Sequence, residues 1–344
     1  MSPGFHYAIG SYKSYQVSGT LNRSALLQAG ETLCDRVQDA KIFLFHGEVR
    51  DLPTYLIKHP ELAEKYVVAY TVWETDKVPD SLRHNFALAD EIWTASDYCR
   101  SILRQYHDCV HVVPHIVAPA DPSDQEVARL RSMCGIEPGD FVYYAIVASV
   151  HKRKNVTGLY AAMSELLRKT DAKIILKTDI VLPLEGSQQT DRVFNLVGRV
   201  PNETIQAVHH IGHCLMSPHH SEGWGLGLSD AMAHGNLVVA TGFGGNMHFM
   251  NEGNSMPVQF RRVEAETDFV WGSGGRWAQV DLHDFVGKCL KAKQDWEALA
   301  PMRHAAISVR HDFGFTTAAN VMKQRLSAIR SELDHAELLK NASS

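Results

Sequence analysis

The chain has 344 residues, of which 45% are hydrophobic and 21% are charged, and its formal net charge is −5. This composition supports a large buried core and excludes a disordered chain. The negative net charge gives no overall basic field, so it disfavours recruitment of nucleic acid or anionic lipid, although a local basic cluster could still bind either.

The chain has no feature of membrane insertion or secretion. No apolar run approaches the roughly 20 residues that span a bilayer, and the N-terminus lacks the basic and apolar regions of a signal peptide. The cysteines include no Cys-x-x-Cys pair, and this spacing favours free thiols over three disulfides. They are Cys34, Cys99, Cys109, Cys134, Cys214 and Cys289. Together these features predict a cytoplasmic protein.

Short β-branched or aromatic runs alternate with helical patterns along most of the chain. Several runs are apolar throughout, as in strands that are buried on both faces of a parallel sheet. The predicted strands are Lys41–His46, Val67–Val72, Glu91–Ala95, His111–Pro114, Phe141–Ser149, Ala172–Thr178, Phe194–Val197, His213–Ser217 and Leu237–Thr241. The predicted helices include Leu21–Cys34, Ser81–Leu88, Tyr98–Gln105, Gln125–Cys134, Asn155–Lys169 and Asn202–His210. This alternation predicts an α/β fold with right-handed crossovers.

A linker rich in Pro, Asp and Ala at 118–124 divides the chain into two parts. Strand–helix alternation restarts after it, which predicts two doubly wound sheets. We therefore expect an N-terminal domain at 1–118 and a C-terminal domain at 119–312. A helical tail at 313–344 is expected to pack back on the first domain.

The segment 215–235 carries the most informative motif. A buried strand ends near Ser217, a loop with several glycines follows, and a helix then runs to about Ala233. Ligands of open α/β sheets bind at the carboxyl ends of strands, where glycines permit close approach and helix-start amides favour an anion such as a diphosphate. In the functional interpretation, Glu222 contacts a reacting sugar and Asp230 accepts hydrogen bonds from ribose. In the alternative, Glu222 is a helix-dipole partner and Asp230 an exposed helix residue.

The basic run 151–155 follows the predicted strand Phe141–Ser149 and opens the next helix. Cations oppose the helix dipole at such a position, so their presence favours a phosphate-binding role over a solvated loop. Arg153 and Lys154 are the candidate residues. The chain also has 19 histidines, several of them between His209 and His220, but without metal-ligand spacing. We predict no metal site.

The sequence Glu222-Gly-Trp-Gly-Leu226 followed by Asp230-Ala-Met-Ala-His-Gly235 resembles the E-x7-E signature of family 4 retaining glycosyltransferases of the GT-B fold. Asp230 replaces the second Glu of that signature. The resemblance covers roughly residues 66 to 325 and implies two Rossmann-like, doubly wound parallel-sheet domains that face a cleft. It also implies metal-independent transfer of a sugar from a nucleoside-diphosphate sugar, with no other cofactor. The acceptor is open: a glycan, a lipid-linked glycan, a protein or another molecule.

The resemblance assigns roles in catalysis and donor binding residue by residue. Glu222 and Lys154 are implied to be catalytic, and Glu74, which follows Trp73, is implied to orient the sugar or the acceptor, with an ordinary loop acid as its alternative. The Asp90–Trp93 stretch of the same lobe is interpreted as structural. The residues implied in donor binding are Arg153, Lys154, Val200, Gly223, Trp224, Gly225, Leu226, Asp230, Gly245, Asn246 and Gly19.

Besides Asp230, two of these assignments depart from the family pattern. The phosphate-binding Arg of the family corresponds to Ser149, so the residue that replaces it is open, with Arg153 as the candidate. Gly19 belongs to a poor match, at 17–20, to the first Gly-rich loop of the family.

Two alternatives to this function remain. One is a catalytically degenerate protein that binds nucleotide sugars without turnover. The other is a glycosyltransferase that acts on nucleic acid, which the negative net charge disfavours. A sugar phosphorylase would need a lysine-held cofactor and a longer chain.

Overall fold

The computed structural model describes residues 4–147, 151–181, 190–265 and 274–342. The chain forms two compact units. The first comprises Met1–Trp73, Val78–Ile116 and His311–Ser344, and the second comprises Glu74–Lys77 and Val117–Arg310. Ser149, the position compared with the phosphate-binding Arg, lies outside the described residues.

The first unit contains a five-stranded sheet in the order β1-β2-β3-β4-β5, with every neighbouring pair parallel. Its strands are β1 (Phe5–Ile9), β2 (Ile42–His46), β3 (Tyr66–Tyr70), β4 (Glu91–Thr94) and β5 (Val110–Val112). Its helices are α1 (Lys13–Gln28), α2 (Leu52–Lys58), α3 (Arg83–Phe86), α4 (Asp97–Leu103) and, from the end of the chain, α12 (Phe315–Ala342). The sheet is parallel, as the sequence predicted.

The start of the chain differs from the prediction. Strand β1 was not predicted, because its short run contains a histidine and its strand conformation depends on pairing with β2. The predicted loop at 17–20 is wrong, since Gly19 is buried inside α1. A Cβ on Gly19 would lie 3.0 Å from Ile9 Cγ2 and 3.2 Å from His46 Cγ. Glycine at this position therefore permits close helix–sheet packing and does not form a donor-binding loop.

The Asp90–Trp93 stretch is structural. The Glu91 side chain is fully buried and accepts hydrogen bonds from Arg325 Nε at 2.9 Å and Arg325 Nη2 at 2.7 Å. Trp93 Nε1 donates to the same carboxylate at 2.5 Å. The Glu91–Arg325 ion pair therefore fixes α12 to strand β4 within the first unit.

Replacing Arg325 with Met should lower the free energy of unfolding of the first unit by about 3–5 kcal/mol, because it leaves a buried carboxylate without its cation. Glu337→Gln, on the same helix, is the control. It removes an exposed pair with Lys41 and should change stability by less than about 0.5 kcal/mol. Urea unfolding followed by tryptophan fluorescence measures both variants. Equal effects of the two would contradict the assigned role of Arg325.

The second unit contains a six-stranded sheet in the order β11-β10-β9-β6-β7-β8, again with parallel neighbours. Its strands are β6 (Val142–Val147), β7 (Lys173–Thr178), β8 (Val193–Val197), β9 (Cys214–Ser217), β10 (Leu237–Thr241) and β11 (Met256–Val258). Its helices are α5 (Asp124–Met133), α6 (Val156–Lys169), α7 (Asn202–Ile211), α8 (Leu226–Ala233), α9 (Leu282–Gln294) and α10 (Ala300–Ala306). The chain returns to the first unit through α11 (Val309–Asp312).

All nine predicted strands are confirmed as strands β2 to β10. Strand β11 and an antiparallel hairpin of β12 (Phe260–Glu264) and β13 (Arg276–Val280) were not predicted. The core of the second unit packs α6 and α9 against the sheet through Leu159, Met163 and Phe285. No helix among the described residues is both long enough and apolar enough to cross a membrane.

The strand order places a topological switch point in the second unit. Strand β6 neighbours both β7, the next strand in the chain, and β9. Connections therefore leave in opposite directions from β6 and β9, and the loops that follow these two strands border the same crevice. In open α/β sheets this crevice is the usual ligand site.

Candidate active site

The loops after β6 and β9 bring three predicted residues together at the switch point. Arg153 Nη1 lies 3.2 Å from Glu222 Oε2, and Lys154 Nζ donates to Glu222 Oε1. Arg153 Nη2 also lies 3.2 Å from Glu74 Oε1. The Glu74–Lys77 segment belongs to the second unit, so Glu74 is part of the same charge cluster. We call Glu74, Arg153, Lys154 and Glu222 the charged cluster.

Backbone contacts fix the two loops to each other. The His220 N–H donates to the Arg153 carbonyl at 2.7 Å. Asn155 has a φ of 51°, and its side chain caps α6 by accepting from the Gly158 N–H at 3.0 Å. The same amide donates to the Pro218 carbonyl at 2.8 Å. Asn155 therefore starts α6 and also holds the β9 loop against the basic run.

The Gly-rich loop after β10 supports Glu222 from the other side. The Gly245 N–H donates to the Glu222 carbonyl at 2.6 Å. Gly244 has a φ of 102°, and a Cβ there would lie 2.7 Å from the Glu222 carbonyl oxygen. Only glycine combines this conformation with so close an approach. The two glycines therefore position the Glu222 backbone.

Asn246 lies inside the protein rather than at a ligand surface. Its side chain is fully buried, donates to the Thr241 carbonyl at 3.0 Å and meets His219 Nε2 at 3.2 Å through its oxygen. The role of Asn246 in donor binding stays a prediction. Asn246 instead maintains the loop that carries Gly245.

Helix α8 starts at Leu226, after Gly225 with a φ of 95°. Leu226 and Gly227 are half-buried, and within the described chain their N–H groups have no hydrogen-bond acceptor. Trp224 is only 2% exposed, packs on Phe249 at 4.8 Å between ring centroids and donates to Ser229 Oγ. The indole therefore anchors the loop in the core, and the role of Trp224 in donor binding stays a prediction.

Glu222 stays ionised at neutral pH. Burial raises the pKa of the Glu222 carboxyl, but the nearby Lys154, Arg153 and His219 outweigh it and bring the pKa to about 2. Burial and the neighbouring Arg153 lower the pKa of Lys154, while Glu222 opposes that shift. The two cations and two carboxylates compensate each other, so an incoming anion competes with the carboxylates for Arg153 and Lys154.

Asp230 is half-buried on α8, and within the described chain its carboxylate has no hydrogen-bond donor or ion-pair partner. Burial raises the pKa of Asp230 to about 7. Its interpretation as an exposed helix residue is therefore wrong. A desolvated carboxylate without a protein partner is suited to accept hydrogen bonds from a ligand.

The loop after β8 contains Val200, which the resemblance implies in donor binding. Val200 is half-buried and follows the exposed Arg199, while Gly198 has a φ of 92°. Lys177, at the end of β7, is only 5% exposed and contacts this loop, and sequence reasoning missed it. A lysine that interrupts an apolar strand was the signal that could have identified it.

Of the histidines between His209 and His220, His209, His219 and His220 are buried, and His210 is exposed. Burial lowers the pKa of His209 to about 3 and of His219 to about 4, so both are neutral. Elsewhere among the described residues, Glu91, Cys109 and His111 have metal-like spacing in the first unit. Glu91 is already engaged there by Arg325 and Trp93, so these residues make a poor metal site.

Comparisons with known proteins give a partial match to one family and a shared fold. Residues 142–267 match the model of the family described as Glycosyl transferases group 1. The structure resembles HepE from Anabaena, solved in complex with UDP and glucose, at 15% identity and a TM-score of 0.64, over 93% of this chain and 83% of that one. No curated protein sequence matches the chain.

Two further solved structures share the architecture. Sucrose-phosphate synthase from Thermosynechococcus elongatus is 13% identical with a TM-score of 0.66, over 91% of this chain and 78% of that one. A glycosyltransferase from Rickettsia africae is 13% identical with a TM-score of 0.63, over 94% and 83%. At these identities the likenesses establish the fold, which is GT-B.

Proposed function

We propose that this protein, a glycosyltransferase of the GT-B, group 1 type, transfers a sugar from a nucleoside-diphosphate sugar to an acceptor with retention of configuration and without a metal ion. The charged cluster at the switch point carries this proposal. It places a buried and a half-buried cation beside a carboxylate that is ionised throughout the physiological pH range, next to the start of a helix.

The diphosphate would bind to Arg153, Lys154 and the N–H groups of Leu226 and Gly227. Both side chains are buried or half-buried, so their attraction for an anion is screened less than at the surface. Negative charge grows on the leaving diphosphate in the transition state, and these donors would stabilise that charge once the diphosphate has displaced the carboxylates from the two cations. Arg153 and Lys154 thus supply the positive charge that a metal ion provides in other transferases.

Glu222 would accept a hydrogen bond from a hydroxyl of the donor sugar, and Asp230 from the ribose. Gly223, Gly225 and Gly245 have no side chains, so the sugar could lie close to their backbone beside Glu222. In a front-face reaction the leaving phosphate takes the acceptor proton, so no enzyme nucleophile is required. Glu74, held by Arg153, would orient the sugar or the acceptor.

A panel of UDP-, GDP- and ADP-sugars tests the proposal. The protein should release one nucleoside diphosphate by slow hydrolysis, and the same donor should raise its melting temperature. UDP-glucose is the first donor to test, because HepE was solved with UDP and glucose. Stabilisation without turnover, with acceptors supplied, would instead favour the degenerate binding protein, and stabilisation by no nucleotide would exclude both. A salt-sensitive shift of DNA or RNA would favour a nucleic-acid acceptor.

The free cysteines favour a reducing compartment for this activity. All six lie among the described residues, and none forms a disulfide. We therefore propose that the enzyme works in the cytoplasm.

Asp230 should make donor binding depend on pH. Its carboxyl has a pKa of about 7, so protonation below that value neutralises the carboxylate and weakens the hydrogen bonds that it accepts from ribose. The Kd of UDP-glucose should rise about tenfold from pH 8 to pH 6. UDP-glucose suits this titration because it has no phosphate monoester, whose second pKa lies near 6. Calorimetric titration at both pH values measures the effect.

Asp230→Asn is the matched variant. It should bind UDP-glucose about tenfold more weakly at pH 8, with a Kd that no longer changes with pH. Because the pKa of Asp230 is raised on folding, its ionised form costs stability increasingly as pH rises from about 4 to 7. The variant should therefore be more stable than the wild type at pH 8, by roughly 1–2 kcal/mol for a half-buried group. An unchanged pH dependence in Asp230→Asn would show that another group titrates.

A further inference from the structure

Lys177 is a buried cation that the proposed chemistry does not use. It lies in β7 among buried aliphatic residues and is 5% exposed. Its Nζ donates to the Gly198 carbonyl at 2.8 Å and the Thr178 carbonyl at 3.1 Å, and lies 3.4 Å from Asp179 Oδ1. Burying an ammonium group is costly, and an apolar side chain would extend the surrounding core. The lysine therefore has a reason other than core packing.

Its contacts join the carboxyl ends of β7 and β8. Gly198 follows β8 directly, and its N–H donates to the Thr178 carbonyl at 2.9 Å while its carbonyl accepts from Lys177. Both polar groups of Gly198 are thereby fixed, in a backbone conformation with a φ of 92°. Lys177 thus determines the direction in which the chain leaves the sheet, at the edge where ligands of α/β folds bind.

This arrangement sets the orientation of the next peptide group. In a trans peptide the carbonyl oxygen and the following N–H point in opposite directions. Because the Gly198 carbonyl points to Lys177, the N–H of Arg199 points away from β7. Within the described chain, the N–H groups of Arg199 and Val200 and the Val200 carbonyl have no hydrogen-bond partner. These groups form a fixed donor and acceptor pattern at the ligand edge.

We propose that Lys177 is a positioning residue for base recognition, holding the Gly198 peptide so that the backbone of Arg199 and Val200 pairs with the donor's base. A base with an adjacent acceptor and donor on its pairing edge, such as uracil O4 and N3–H, fits this pattern. The inference rests on the proposed function. Lys177 itself touches neither the base nor the reacting atoms.

Comparing UDP with inorganic pyrophosphate separates base binding from phosphate binding. Lys177→Met should raise the Kd of UDP about tenfold, the equivalent of one or two lost hydrogen bonds, and leave the Kd of pyrophosphate within about twofold. At saturating donor its kcat should stay within about threefold while KM rises. Lys173→Met, at the opposite end of β7, is the control and should behave as the wild type.

A second variant changes the loop without touching the buried lysine. A Cβ on Gly198 would meet nothing within 4 Å, yet its φ of 92° strains any other residue. Gly198→Ala should therefore fold and show the same selective loss of UDP affinity. Gly139→Ala is its control, since Gly139 has a φ of 94° and equally open space but lies in the turn before β6.

The outcomes separate this inference from the proposed function. A selective loss of UDP affinity in Lys177→Met and Gly198→Ala supports the inference. Unchanged UDP affinity in both, or equal losses of UDP and pyrophosphate affinity, would overturn it while the proposed function stands. If the wild type binds none of UDP, GDP, ADP and pyrophosphate, the proposed function itself falls.

Discussion

Replacing Glu222 with Gln should slow sugar transfer about 10²–10³-fold while leaving UDP binding equal or tighter. The carboxylate pairs with Arg153 and Lys154, so it competes with a diphosphate for the same cations. Gln removes this competition but also removes the ionised acceptor for the sugar hydroxyl. Product-release assays measure the first effect, and titration calorimetry with UDP measures the second.

The same variant should be less stable than the wild type without ligand. The buried Arg153 and the half-buried Lys154 lose a carboxylate, which costs about 3 kcal/mol, and UDP should recover most of this loss. Glu165→Gln is a control on α6, where Glu165 forms exposed pairs with Arg168 and Lys169, and it should leave transfer unchanged. If Glu222→Gln lost UDP affinity and turnover to the same extent, the role of Glu222 would be to stabilise the fold and not to bind the sugar.

Replacing Lys154 with Met should weaken UDP binding about 10–100-fold and reduce kcat/KM at least about 10³-fold, because a buried charge on the leaving diphosphate loses its partner. Lys154 is also the foremost group that lowers the pKa of Glu222 against the effect of burial. Its removal should raise that pKa. As the pH is lowered, Glu222 should therefore become protonated at a higher pH in the variant than in the wild type. The residual activity of the variant should be lost at that higher pH.

Lys152→Met is the matched control for Lys154→Met. It removes an equal charge two residues away, from an exposed position in the same basic run. Screening by solvent should limit its effect on kcat/KM to about threefold. Similar losses in the two variants would indicate that the run acts through its general positive field and not through the contact between Lys154 and Glu222.

The strands that could be predicted from the sequence are those that are buried on both faces of a sheet. Runs such as Val142–Val147 and Leu237–Thr241 are apolar throughout, so their burial was evident without pairing partners. Strand β1 and the β12–β13 hairpin were missed, because their residues alternate or carry charges and their pairing is set by neighbours distant in the chain. Gly19 was assigned to a loop instead of a helix for a related reason. A glycine is needed there because Ile9 and His46 pack closely against the helix, and this contact is not visible in the sequence.

The candidate site was predictable where chemistry and spacing agree. Glu222 and Lys154 each follow a buried strand, and the parallel sheet brings them into contact. Trp224, in the motif, and Asn246, in the next Gly-rich loop, were implied in donor binding by the resemblance, but the direction of a loop side chain depends on tertiary packing. Lys177 was overlooked because its partners are backbone carbonyls, which a sequence pattern does not display.

The stereochemistry of the first-formed product tests the central claim most directly. Proton NMR of a reaction with UDP-glucose, or with the donor that the panel selects, follows the anomeric proton before mutarotation. An α-linked donor should give an α-configured product together with free nucleoside diphosphate, and Glu222→Gln should give little of either. A β-configured first product would contradict retention, and the absence of nucleoside diphosphate release from every donor and acceptor would contradict glycosyl transfer.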